Sequence, residues 1–209
     1  MEYKEYKEYI QREFQYITKD NILFWNLWNI SYPFDVLATY KEAYPEEYAL
    51  FSEMYFSCWE MLYQVDEKRE VLVSIFEQTY PFVIDEQGEI INPKNILQQK
   101  YESYDDEILP ELCILLLIGR FDEIYKGIKQ KAERYGERAI HAPMEVISYI
   151  IASYKWGYLF DNMDKSIVRD EVNAQMKLVK TLQIPRLFSL EDRNIFRNKE
   201  YSTNTNLSK

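Results

Sequence analysis

Few side chains in this sequence are of a type and spacing that do chemistry. The single histidine, His141, stands in Ile140-His141-Ala142-Pro143, just before a helix start, where an imidazole serves backbone groups more readily than a substrate. A general base also needs a positioned partner, and no Cys-His pairing is readable around it. Cys58 and Cys113 lie far apart, each inside an apolar run, which points to two buried reduced thiols rather than a disulfide or a redox pair. Two Cys and one His, so scattered, are too few for a zinc site. There is no GxSxG elbow and no P-loop.

Carboxylates are the one abundant reactive group. Asp105-Asp106-Glu107 is the densest cluster, and it reads as a helix cap with an acidic first turn. Asp161, Asp164 and Asp170 invite comparison with a calcium loop, but the glycine and the ligand alternation of such a loop are missing. Paired carboxylates for glycoside hydrolysis have no specifying signal. The sequence therefore implies no cofactor, no metal and no catalytic residue, and the chain is not expected to be an enzyme.

Charge is more informative. The net charge is −10, and it is uneven: residues 1–110 carry 22 acidic and 9 basic side chains, whereas residues 111–209 carry 13 and 16. An acidic first half opposes contact with nucleic acid or an anionic membrane and suits a basic protein partner. Lys126, Lys129, Lys131, Arg134 and Arg138 form a mildly basic run, but Glu133 interrupts the face and the pI of about 4.8 opposes phosphate-backbone binding. The candidate partner-binding residues are Glu42, Glu46, Glu47 and Glu53, with Tyr48 and Tyr55 as anchors, together with Asp105, Asp106 and Glu107. Tyrosine and tryptophan are favoured at interface hot spots.

The elements that must position these residues are helical. Five Gly and seven Pro are few, and apolar residues recur at spacings of three and four. A first helix covers residues 2–17, with Tyr3, Tyr6, Ile10, Phe14 and Ile17 on one face. Asp20 caps the next segment, where Ile22, Trp25, Leu27 and Trp28 are too bulky to be left exposed together. Ser31-Tyr32-Pro33 is expected to break it, with Pro33 starting a new helix to Tyr44. A helix follows from Glu46 to about Val65, with Tyr48, Phe51, Met54, Tyr55, Cys58, Trp59, Leu62 and Val65 along its apolar stripe. Another covers Glu67 to Gln78. Between Phe82 and Ile91 the pattern gives way to a small β-hairpin around Asp85–Gly88. Residues 94–104 read as helix.

The centre of the fold is expected at Ile108–Tyr125. Seven consecutive apolar residues, Leu112–Ile118, stop at Gly119, and an amphipathic run follows. The run is far shorter than the roughly 20 apolar residues that span a bilayer. Leu117–Ile124 resembles the turn between the paired helices of a tetratricopeptide repeat, with Gly in the turn and an aromatic two residues on. It occurs once, with no second copy at that family's period of about 34 residues, so it implies two antiparallel helices joined by a Gly turn. The return helix ends at Tyr135-Gly136. Later helices are expected over Met144–Phe160, from Asp164 or Ser166 to Pro185, and over Leu190–Phe196.

These patterns predict an all-α, irregular multi-helix bundle of antiparallel helical hairpins, with at most one small β-hairpin near residues 82–91. One domain is expected over residues 1–199, with a sub-boundary at 80–93 and a mobile tail at 200–209. The opening MEYKEYKEYI is charged and lacks the apolar core of a secretory signal, which suggests a cytoplasmic, bacterial-type protein. The function class that fits is an acidic helical protein-binding module of the immunity or antitoxin type, directed at a basic toxin or nuclease. A carboxylate-lined enzyme pocket and a helical adaptor are the alternatives. No membrane or nucleic-acid partner is implied, and no oligomeric state is legible.

Overall fold

The chain is an irregular all-α bundle. The computed structural model describes residues 1–79, 83–84, 90–91, 109–130 and 137–197. Its helices are α1 (Tyr3–Phe14), α2 (Ile22–Thr39), α3 (Pro45–Glu60), α4 (Val65–Thr79), α5 (Leu109–Lys129), α6 (Ala142–Ser153) and α7 (Ser166–Thr181). Short 3-10 turns stand at Lys19–Asn21, Glu137–His141, Leu159–Asn162 and Leu190–Asp192. The strands β1 (Val83–Ile84) and β2 (Ile90–Ile91) pair antiparallel, Val83 opposite Ile91, as the hairpin pattern predicts. The expected helix at 94–104, the Asp105–Glu107 cluster, the Tyr135-Gly136 stop, the 200–209 tail and most of the 80–93 boundary lie outside the described residues.

The organising element is α2. Every residue from Ile22 to Phe34 is buried, Trp25 and Trp28 completely. It packs on α3, α5 and α6, while α1 packs on α7 and α4 on α3 and α5. Contrary to expectation, Pro33 neither breaks the segment nor starts a helix; it lies inside α2. A proline in a helix interior costs about 3 kcal/mol or more through its lost N–H bond and ring clash. Burying each large apolar side chain returns roughly 1.5–3 kcal/mol, so the aromatic and aliphatic residues on all sides of α2 outweigh the break.

Gly119 gives a second correction. It is no turn: α5 runs unbroken through it from Leu109 to Lys129. A mid-helix Gly costs about 1 kcal/mol against Ala. Cys113, Ile114, Leu117 and Ile118 before it and Phe121 and Ile124 after it all enter the same core, which carries the helix through the weak position. Pro110 sits in the first turn, where its missing N–H is harmless. α3 stops at Glu60 rather than Val65, and α6 stops at Ser153 rather than Phe160. The final expected helix is reduced to the Leu190–Asp192 turn. No described helix is long and apolar enough to cross a membrane.

Candidate functional site

The acidic candidates sit on α3 and the turn before it. Pro45 opens α3, and Glu46 and Glu47 occupy its first turn, where carboxylates complement the helix dipole. Inward go Glu47, Phe51, Met54, Tyr55, Ser57, Cys58 and Trp59, all buried. Outward go Glu46, Ala49, Glu53, Phe56 and Glu60, at spacings of three and four, all exposed. Glu42, in the preceding turn, is exposed as well. Among the described residues no ion pair engages Glu42, Glu46, Glu53 or Glu60.

Two of the expected partner-binding residues are corrected. Tyr55 is wholly buried: its hydroxyl meets Ser31 Oγ at 2.6 Å and its ring stacks on Phe34 at 4.1 Å. Glu47 is also buried. Neither presents a surface. Tyr48 is half-buried and stacks on Phe34 at 5.8 Å. The aromatic that does emerge between the acids is Phe56, 37% exposed and set edge-on to Tyr55 at 5.3 Å. Its phase along α3 was the available signal, since Tyr55 lies on the apolar stripe and Phe56 one residue off it. Asp105, Asp106 and Glu107 lie outside the described residues.

A second exposed patch follows α6. Lys155 (φ 54°) and Gly157 (φ 84°) turn the chain out of the helix. The buried Asn162 amide then donates to the carbonyls of Trp156 at 2.7 Å and Tyr158 at 2.8 Å. That fixes a loop carrying Tyr158 and Phe160, both largely exposed, Phe160 resting edge-on against Tyr3 at 5.0 Å. Trp156 stacks on Tyr154 at 4.4 Å, with Lys165 over its ring. Helical periodicity extended over these residues hid the loop.

Inside the bundle, the residues after α7 return over α2. Arg197 and Glu171, both with fully buried side chains, form a bidentate pair with two contacts of 2.9 Å. Gln175 donates to Glu171 at 2.9 Å and to the Pro143 carbonyl at 3.0 Å, and accepts from the Tyr6 hydroxyl. Burial, with Glu171 next in weight, drives the Tyr6 hydroxyl pKa well up, so it stays a donor.

Little else suggests chemistry. His141 caps α6 with its backbone, and its exposed side chain makes no cap hydrogen bond. Cys58 and Cys113 are free and buried; burial pushes the Cys58 thiol up to about 12. Two shallow clefts share Asp20 and Tyr63. One, of about 230 Å³, is lined by Thr18, Asn21 and the segment Pro185–Leu187; the other, of about 210 Å³, by Leu62–Glu67. Asp66 there is engaged by Lys19 at 3.5 Å and by Arg69. No group of three or more His, Cys, Asp or Glu among the described residues is placed to hold a metal ion. Of the basic run, Lys126 is tied to Asp122 at 2.8 Å and Lys129 to Glu77 at 2.8 Å. No protein-family model, curated protein or solved structure matches the chain.

Proposed function

We propose that this chain is a protein-binding module of the immunity or antitoxin type, which uses the outer face of α3 to hold a basic toxin or nuclease. The observation that carries this proposal is the stripe Glu46, Glu53, Phe56 and Glu60, exposed along one face of α3 with its acids outside any ion pair among the described residues. Carboxylates left to solvent attract a basic cleft over about a Debye length and raise the association rate. An aromatic between them supplies the apolar anchor that such contacts require. The net charge of −10 acts in the same direction.

The test is co-expression with the product of the neighbouring gene. That product alone should arrest growth, and this chain should restore it. Charge reversal at Glu46, Glu53 and Glu60 to Lys should abolish the rescue without unfolding the chain, and Phe56→Ala should weaken it. A harmless neighbour, or rescue untouched by the triple reversal, would sink the proposal.

A further inference from the structure

Arg197 sits in more than an ion pair. Its guanidinium carbon lies 3.4 Å from the centre of the Trp28 ring and 5.7 Å from that of Tyr32. Nε and Nη2 donate to the two carboxylate oxygens of Glu171 at 2.9 Å each, and Nη1 donates to the Trp28 carbonyl at 2.7 Å. Pro33 follows in α2, and the N–H it lacks is the one that would bond the Asn29 carbonyl, next in the chain to Trp28. An aromatic face, a carboxylate matched to a planar fork and an extra acceptor select a guanidinium over an ammonium.

The walls of this pocket belong to the bundle. Trp28 and Tyr32 come from α2 and Glu171 from α7, with the carboxylate braced by Gln175 and through it by Tyr6 of α1. The occupant belongs to the strap that follows α7. From Pro185 to Arg197 the backbone–backbone hydrogen bonds among the described residues are local to the strap. It is tied down by side chains: Tyr63 on the Phe188 N–H at 2.7 Å, Trp28 Nε1 on the Ile195 carbonyl at 3.0 Å, and Asp35 with Asn194 at 3.0 Å and Arg193 at 3.3 Å. Phe196 is held at φ 69°, a region disfavoured for a bulky L-residue, and it is exposed while Arg197 beside it is buried. Ile184 and Leu187 on the same strap are largely exposed.

We infer that the pocket of Trp28, Tyr32 and Glu171 is an arginine-binding site that the chain fills with its own Arg197, and that displacing the strap opens it to an arginine side chain of another protein. The inference does not depend on the α3 face, which contributes none of the pocket's walls.

The full chain carrying Arg197→Ala tests it, with thermal unfolding followed at low-millimolar propylguanidinium, butylammonium, acetyl-Gly-Arg-Gly-amide or its Lys counterpart. The substitution should lower Tm by roughly 10 °C, as expected when a buried carboxylate loses a bidentate counter-charge. Propylguanidinium and the Arg peptide should restore part of that loss saturably, whereas butylammonium and the Lys peptide should not. Adding Glu171→Leu should remove the response while restoring a folded chain, because an apolar replacement of a buried pair is tolerated. If Arg197→Ala alone does not fold, refolding in each compound reads the same selectivity. Equal response to guanidinium and ammonium, a response that survives Glu171→Leu, refolding in none of the compounds, or recovery with propylguanidinium but not with the Arg peptide would each overturn it.

Discussion

At the scale of single residues, the clearest electrostatic device is Glu13. Its buried carboxylate accepts from Lys180 of α7, from Gln183 at 3.0 Å and from Arg12 at 3.0 Å. Those donors, Lys180 first, hold its pKa near 2 against an ordinary 4.5. A lowered folded-state value means that the stabilisation is fully present above about 4.5 and is lost as pH falls toward 2. Glu13→Gln should therefore flatten the dependence of Tm on pH between 2 and 4.5 and lower Tm at neutral pH, measured by thermal unfolding across that range. The thiols give a second expectation: Cys58 and Cys113 should resist a disulfide-exchange reagent in the native chain and both react in denaturant, since burial keeps them protonated. Their burial was legible from the apolar runs that hold them. The burial of Tyr55 was legible from its place on the apolar stripe of α3; its hydroxyl partner was not, because nothing near it in the chain announces Ser31, which lies 24 positions away.

At the scale of elements, the helical faces were readable and the punctuation was not. The stripes of α1 and α3 follow from three-and-four spacing alone. Pro33 and Gly119 are ordinary stop signals, and both fail here because the flanking side chains are buried on both sides of the stop. The reverse error occurs at the end of α6, where apolar residues continue in register after the backbone has left the helix at Lys155. Gly119→Ala provides a direct check. A Cβ there meets nothing within 4 Å, and the backbone is helical, so the substitution should stabilise the chain by about 0.5–1 kcal/mol. Denaturant unfolding measures it; destabilisation would restore the turn that the sequence pattern suggested.

At the scale of the whole molecule, the buried charges brace the fold and the outward carboxylates of α3 do not. Glu46, Glu53 and Glu60 contribute to the acidic field and little to the bundle, so replacing all three by Gln should change stability by no more than about 0.5 kcal/mol each and, under the proposed function, abolish binding to a basic partner. Paired thermal unfolding and binding measurements distinguish the two effects. The excess of acid in residues 1–110 could be counted from the sequence; which acids are free could not, because burial and pairing are settled by distant segments. The same is true of the polar network, whose members have no local signature. Its geometry has a consequence for biosynthesis. Tyr6 meets Gln175 across 169 positions, and Trp28 meets Arg197 across another 169. On the ribosome α1 and α2 therefore emerge long before these partners, and Glu171 is made before Arg197. Until then the apolar surface of α2 lacks the contacts that the later segment supplies, and those long-range contacts can close only after it has been made.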